Sequence, residues 1–260
     1  MADFRLSEEQ EMLRELAHEF SRDSVRPHAE HWDTNNEFPL DAISEAHSLG
    51  LTNLHIPTEY GGMGMGISDE VLVSEEFAWG DPGFSTAAYS NGLTAGPIIT
   101  GGTEEQKTEY LGRLVKEPKI ASYCVTEPGA GSDVASIETT AVRDGDHYIL
   151  NGQKMWITGA GYADWFFVLA YTDKTAGYKG MSAFIVESSW DGVSLGKKET
   201  NMGQRASDTR GVIFDNVHVP VENLVGEKEG MGWFNAMKAF DLSRPNVAAQ
   251  AVGTARAAYE

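Results

Sequence analysis

Apolar positions at the start of the chain recur at helical spacing. Leu13, Leu16, Ala17 and Phe20 return every three or four residues. They follow Ser7-Glu8-Glu9-Gln10, where a hydroxyl with Gln three residues on makes a capping box. A second periodic stretch over 40–49 ends at Gly50, a residue suited to a helix C-cap. The glycine-rich run 61–66 predicts a loop. Ser68 predicts the cap of a helix reaching Ala78 and halted by Gly80-Asp81-Pro82-Gly83; another helix is expected from Phe84 to about Thr100. Thr103-Glu104-Glu105-Gln106 repeats the capping box ahead of Tyr110, Leu111 and Leu114. Residues 1–118 therefore read as a helical domain.

Near Ile120 the period changes. The runs 139–142 and 148–150 read as strands, each leading into a hairpin turn, Asp144-Gly145 and Asn151-Gly152, because these pairs tolerate positive φ. The apolar run 165–171 predicts a buried strand, with further strands at 182–186 and 211–214. Strands this dense, with no helical crossovers, predict an antiparallel sandwich or barrel over 119–226. After Gly230 the pattern is helical again. Ala248, Ala249, Ala251, Val252, Ala255, Ala257 and Ala258 make a helix of small residues that should pack closely on other helices. It reaches Tyr259-Glu260 without Gly, Asn or Pro to close it, as a fraying end or as the opening of a longer helical bundle over 227–260. The expected class is α+β and multidomain: helical domain, β domain, first helix of a bundle.

Composition narrows the function. Among 260 residues, 20 Lys and Arg stand against 39 Asp and Glu, a net charge of −19. That excludes a nucleic-acid binder, which needs a basic footprint, and a protein held to anionic membranes. The run 165–171 is far short of the ~20 apolar residues of a membrane span. Cys124 is the one cysteine, so an intrachain disulfide and a cysteine-based zinc site are both excluded. The acidic N-terminus has no apolar signal segment, which points to a reducing compartment: bacterial cytoplasm, or the mitochondrial matrix in a eukaryote. His28 and His31 share a helix face without further ligands, so no metal site is expected. There is no G-x-S-x-G elbow. Glu75-Glu76 reads as a solvated or ion-paired helix feature.

Three segments carry candidate chemistry. Tyr123-Cys124-Val125-Thr126-Glu127-Pro128-Gly129-Ala130-Gly131-Ser132-Asp133 lies where a strand meets a loop, with N–H groups and hydroxyls for a ligand's carbonyls or phosphates. Val134 stands where a dinucleotide fingerprint needs its third glycine, and a tight structural turn is the competing reading. In Met155-Trp156-Ile157-Thr158-Gly159, the Trp and Thr two apart on a strand share a side. A ring face plus a hydroxyl suits a planar heterocycle, or equally a core Trp beside a surface Thr. Asp241-Leu242-Ser243-Arg244 precedes Pro245 in the last helix, where Asp241 and Arg244 can pair at i, i+3 and the proline removes a backbone hydrogen bond.

Together with Asn151–Thr158 (NGQKMWIT), 201–211 (NMGQRASDTRG), Val217-His218-Val219-Pro220 and 240–253 (FDLSRPNVAAQAVG), these segments resemble the acyl-CoA dehydrogenase family, in order and spacing, across nearly the whole chain. Its medium- and short-chain members are the most similar. The resemblance implies an N-terminal helical domain, a middle β domain and a C-terminal helical bundle. It also implies FAD-dependent oxidation of acyl-CoA thioesters to trans-2-enoyl-CoA, a homotetramer, and electron-transferring flavoprotein as acceptor. By resemblance, Tyr123, Cys124, Val125, Thr126, Gly131 and Ser132 line the flavin and its pyrophosphate. Thr126 and Thr158 bond the ring system, with Trp156 and Ile157 beside it. Ser132, Asp241, Ser243 and Arg244 contact the acyl-CoA. Ser85, Tyr89 and Asn91 lie on a helix lining the far end of the acyl pocket, where bulky Tyr89 would shorten it.

The catalytic residue is where the chain departs from the pattern. In the family a carboxylate takes the α-proton from a carbonyl-polarised, water-free thioester. That Glu lies in the bundle, or in a minority of members at the position held here by Ser243, which cannot serve. No catalytic base is therefore expected within these residues, and the isolated chain is expected to be inactive and to hold FAD weakly. The alternatives are a non-catalytic acyl-CoA- or flavin-binding subunit completed by a partner chain, and a relative with oxidase or monooxygenase chemistry.

Overall fold

The computed structural model describes residues 5–260; the first four, on which the reading of the N-terminus partly rests, lie outside the described residues. Helix α1 (Glu8–Phe20) opens at the expected capping box: the Ser7 hydroxyl accepts from the Gln10 N–H, and the Gln10 side chain accepts from the Ser7 N–H. A π turn and a 3-10 turn carry the chain into α2 (Ala29–Asn35), followed by α3 (Leu40–Ser48). Helix α4 (Ile67–Gly80) begins two residues earlier than Ser68 predicts. Gly66 is its cap, and the Asp69 carboxylate accepts from the Gly66 N–H at 3.0 Å. The single helix expected from Phe84 is two, α5 (Pro82–Ala88) and α6 (Ser90–Gly101), with Tyr89 at the break. Asp81 starts α5 by accepting from the Phe84 N–H at 2.8 Å. The second capping box opens α7 (Glu104–Gln106), which runs through a π turn into α8 (Gly112–Lys116).

Seven strands follow: β1 (Ile120–Cys124), β2 (Thr140–Asp144), β3 (His147–Thr158), β4 (Ala163–Tyr171), β5 (Met181–Glu187), β6 (Val193–Lys198) and β7 (Thr209–Pro220). They form one sheet ordered β1-β4-β2-β3-β7-β6, with β5 on the other edge of β4. Pairing is mainly antiparallel; β4 runs parallel to β1 and touches β2 in parallel at one residue pair. The β2–β3 hairpin turns at Gly145-Asp146, one residue beyond the expected Asp144-Gly145, because Asp144 still pairs with His147 in the ladder. Asn151-Gly152 does not turn. It lies inside β3, at a step where β7 carries one residue more than its partner. Glycine is required there because a Cβ at 152 would fall 2.8 Å from the Cα of Thr139.

The apolar run of β4 is continuous because both its faces are covered. Trp165, Phe167, Leu169 and Tyr171 pack with Ala95 and Ile98 of α6, Leu111 and Leu114. Phe166, Val168 and Ala170 pack with Tyr148, Leu150, Val212, Phe214 and Val217 of the other strands. A third cluster fills the helical part, around Phe20, Trp32, Phe77 and Phe84.

The final helix α9 (Gly232–Tyr259) returns to the helical part. Its small residues find their partner earlier in the chain: Gly253 meets α4 so closely that a Cβ would fall 2.0 Å from the Glu75 carbonyl oxygen. Arg256 reaches Glu75 and Glu76 of α4, and Trp79 donates to Glu260 at 2.7 Å. The Glu75-Glu76 pair is thus ion-paired. Leu242, Val247 and Val252 of α9 remain partly exposed, the first two beside the cavity. Among the described residues no helix is long and apolar enough to cross a membrane.

A buried ion pair fastens the sheet to the loop after β1. The Lys154 side chain is fully buried and donates to Glu127 Oε1 at 2.8 Å and to the Val125 carbonyl at 3.1 Å. Glu127 also accepts from the Glu138 N–H at 2.6 Å and from the Thr139 N–H and hydroxyl. Burial alone would raise the Glu127 carboxyl, but the Lys154 charge and these bonds outweigh it and hold it below its ordinary value. Lys154→Met should cost about 3–5 kcal/mol, because it leaves a buried carboxylate unpaired. Urea denaturation near pH 7 measures this. With its folded value depressed, Glu127 contributes fully above its unfolded value of about 4.3. That contribution is lost as pH falls through the folded value, so the gap between wild type and variant should narrow in acid.

Candidate functional site

A cavity of about 510 Å³ opens where the helical part, the sheet and α9 meet. Its sheet-side wall is made by Tyr123, Thr126, Trp156, Ile157 and Thr158, and its helical wall by His55, Glu70, Tyr89 and Leu93. Phe240, Leu242, Ser243, Asn246 and Val247 of α9 line the rest.

The sheet-side wall depends on an irregularity of β3. Between Lys154 and Ile157 the strand carries one residue more than β7, which goes from Val212 to Arg210. The extra residue lets Lys154 and Ile157 both point inward while Trp156 stands out, its indole 56 % exposed beside the cavity. Trp156 has φ +62°, in the left-handed region that a bulky side chain enters only under constraint. The Met155 N–H donates to the Thr126 carbonyl at 2.9 Å, so the loop after β1 and the bulge are one unit. Tyr123 joins the sheet to α9. Its ring stacks on Phe167 at 5.1 Å, and its hydroxyl donates to the Ala236 carbonyl at 2.9 Å. Burial pushes that hydroxyl's pKa up.

Of the candidate residues, Tyr89, Tyr123, Thr126, Trp156, Ile157, Thr158 and Ser243 are brought together on this cavity. Cys124 and Val125 are buried in the core, leaving only their backbone toward the loop; burial pushes the Cys124 thiol up. Gly131 and Ser132 lie on an exposed loop off the cavity. Asp241 and Arg244 are exposed and pair with each other at 2.6 Å, as their spacing allows. Ser85 and Asn91 do not line the cavity. Ser85 bonds the Ser74 carbonyl, and Asn91 ties α6 to β1 through Lys119 and Ala121.

The sequence reading missed His55, Glu70 and Asn246. They form a chain of polar groups on the helical wall. His55 Nδ1 lies 2.6 Å from Glu70 Oε1, and Asn246 Nδ2 donates to Glu70 Oε2 at 3.1 Å. Burial alone would raise Glu70, but the His55 bond and charge and the Asn246 bond outweigh it and hold the carboxyl below its ordinary value. Residues so far apart in sequence leave no local signal; only a charged residue at a buried position of α4 could have given notice. Tyr89 donates to the Glu70 backbone carbonyl at 3.0 Å, and burial pushes its own hydroxyl well up. Among the described residues no group of His, Cys, Asp and Glu could hold a metal ion.

Comparison with known proteins identifies the family. Residues 7–118 match the family model for the acyl-CoA dehydrogenase N-terminal domain, and 122–217 that for the middle domain. A Caenorhabditis briggsae protein named "Probable medium-chain specific acyl-CoA dehydrogenase 2, mitochondrial" is 48 % identical over 96 % of this chain, which spans 62 % of that relative's length. Butyryl-CoA dehydrogenase from Megasphaera elsdenii superposes with a TM-score of 0.95 at 38 % identity, over 99 % of this chain and 68 % of that one. An acyl-CoA dehydrogenase from Bacillus anthracis, complexed with FAD, does so at 0.90 and 36 %, over 98 % of this chain and 44 % of that one. The chain belongs to the acyl-CoA dehydrogenase family.

Proposed function

We propose that these residues form the flavin- and acyl-CoA-binding part of a dehydrogenase that oxidises acyl-CoA thioesters to trans-2-enoyl-CoA. The observation carrying this is the convergence of Thr126, Trp156 and Thr158 with the α9 residues Ser243 and Asn246 on one largely apolar cavity. FAD fits the sheet-side wall. Trp156 offers an exposed ring face, and Thr126 and Thr158 bring hydroxyls that can bond the edge of a planar heterocycle. Bound there, FAD would supply the hydride acceptor. The apolar lining from Leu93, Phe240 and Val247 would keep water from the thioester, which strengthens every polar contact that polarises its carbonyl. Phe234 and Val252, exposed on α9 and off the cavity, support burial in an oligomer, a tetramer by family resemblance, with electron-transferring flavoprotein as the acceptor that resemblance implies.

The base is not among these residues. Glu70 is the one acid lining the cavity among the described residues, and its carboxylate is committed to His55 and Asn246. Ser243 bonds the Phe240 carbonyl and has no basic group. We place the proton acceptor in the part of the relatives' length that this chain does not span. A binding subunit completed by another polypeptide is the second reading, and the missing free carboxylate favours it equally.

Intact protein isolated from its source tests both. The expected result is a yellow protein whose flavin band bleaches with acyl-CoA under anaerobic conditions, in one polypeptide longer than 260 residues. Bleaching that requires a separate second polypeptide would favour the subunit reading; no flavin and no bleaching would sink both. Residues 1–260 expressed alone should give no turnover and weak FAD binding.

Two substitutions in the intact protein probe the walls. Trp156→Gly should leave stability within about 1 kcal/mol, because relieved left-handed strain offsets the freer unfolded chain. It should weaken FAD binding at least tenfold, read by flavin fluorescence. Tyr89→Ala should shift kcat/KM toward longer acyl chains by enlarging the helical end; an unchanged chain-length profile would show that Tyr89 does not limit it.

A further inference from the structure

We propose that Ser122 of β1 is a positioning residue for the flavin: its hydroxyl holds the Thr158–Gly159 peptide, and through it sets the Thr158 hydroxyl at a fixed spacing from Thr126. This rests on the FAD-binding reading above and adds to it a residue outside the cavity.

Ser122 is a polar residue where the sheet is apolar. It pairs with Phe166 of β4, and Cys124, two residues on and on the same face, belongs to the cluster that includes Phe166, Val168 and Ala170. No part of Ser122 is exposed. Alanine would fill that position without burying a hydroxyl, and a buried hydroxyl is costly unless it is bonded. The bond it makes is to the Thr158 carbonyl, at 2.7 Å.

That carbonyl and the Gly159 N–H belong to one peptide plane, and the plane is held at both ends. Gly159 donates to the Asp208 carbonyl at 2.8 Å. Asp208 is itself fixed. It has no exposed surface, and its carboxylate accepts from the Gly161 N–H at 2.8 Å and from Arg210 Nε at 3.0 Å. With the plane fixed, ψ of Thr158 is fixed as well, while its pairing with Thr209 in the β3–β7 ladder constrains φ. The χ1 of a threonine is restricted, so a set backbone leaves its hydroxyl few directions. The turn that follows lies against β1. Gly159 has φ +72°, and a Cβ there would stand 3.3 Å from Ser122 Oγ and 3.1 Å from Ile120 Cγ2.

Strand β1 thereby positions both hydroxyls that fit the flavin. Thr126 follows it in the chain, and Thr158 is tied to it through Ser122. Neither the ladder nor the Lys154 pair sets that distance. The ladder joins β3 to β7, and Lys154 lies on the far side of the strand irregularity that ends at Ile157. A planar heterocycle carries its polar edge atoms at fixed separations, so two hydroxyls meet it together only when both are held by their supporting bonds.

The test uses intact protein, stripped of flavin and titrated with FAD by fluorescence, as wild type, Ser122→Ala, Thr158→Val and the double variant. Thr158→Val keeps the β-branch and removes the hydroxyl. Ser122→Ala should weaken FAD binding by about fivefold in the wild-type background, the worth of one displaced hydrogen bond, and by less than about twofold where Thr158 is already Val. Its effect on the urea midpoint of the flavin-free protein should be equal in both backgrounds, because the bond it loses goes to the Thr158 backbone. An equal loss of FAD affinity in both backgrounds, or none in either, overturns the proposal and leaves Ser122 a residue of sheet stability alone. If Thr158→Val binds FAD as the wild type does, the proposal falls while Trp156→Gly still tests the flavin wall. If the intact wild type binds no FAD, the flavin reading and the proposal fall together. Ser122→Cys, similar in size but a weak donor, takes the place of alanine in all four comparisons should alanine prevent folding.

Discussion

Everything on the sheet side of the cavity depends on one buried ion pair. Lys154 reaches from β3 to Glu127 in the loop after β1, with no part of its side chain exposed. Burial pulls its ammonium below the ordinary value, so the pair forms against a desolvation penalty that Coulomb attraction alone seldom offsets. What compensates is the number of bonds converging on Glu127: the ammonium, two backbone N–H groups and the Thr139 hydroxyl. That density specifies a single placement of the loop. Thr126 adjoins Glu127, and Trp156 lies two residues past Lys154, so the pair sets the spacing of the sheet-side wall. It also explains how Trp156 keeps a left-handed backbone: the neighbours on both sides are held too firmly for it to relax.

The helical side depends on close approach rather than on charge. Gly253 brings α9 against the Glu75 carbonyl of α4, and Ala236, Ala239 and Ala249 are buried along the same helix. Small residues put Asn246 within reach of Glu70 on α4, and Ser74 within reach of the Asn246 carbonyl. A larger residue at 253 would separate the helices and break the polar chain from the α9 side. Packing and polar bonding are therefore one feature of the α4–α9 contact.

Much of this could be read in the sequence, for physical reasons that differ by element. Capping boxes at Ser7 and Thr103 are local, so their helices begin where the residues say. The run 165–171 is apolar throughout because both faces of β4 are covered, a property a single strand records by itself. Asn151-Gly152 misled because its glycine answers a close approach by Thr139, a residue of the neighbouring segment, and not a turn. The break at Tyr89 was equally hidden, since Ser85 through Thr94 would suit one helix and tertiary packing divides it. Of the site, the motif residues Thr126, Trp156 and Thr158 were legible from type and order. His55, Glu70 and Asn246 were not, because three polar residues spread over almost two hundred positions carry no pattern until the fold joins them.

That division of legibility matches a division of labour. The sheet-side wall is built from contiguous motifs, as would suit the proposed flavin, a cofactor of constant shape. The helical wall is built from scattered single residues on a loop, α4 and α9, each replaceable without disturbing a motif. On the proposed reading this wall meets the acyl tail, the part of a thioester that varies, and a wall assembled this way can change its chemistry by one side chain at a time. Replacing Glu70 alone would take from His55 and from the Asn246 amide the partner they now share. One carboxylate, buried and doubly bonded, thus ties a loop, α4 and α9 together at this wall.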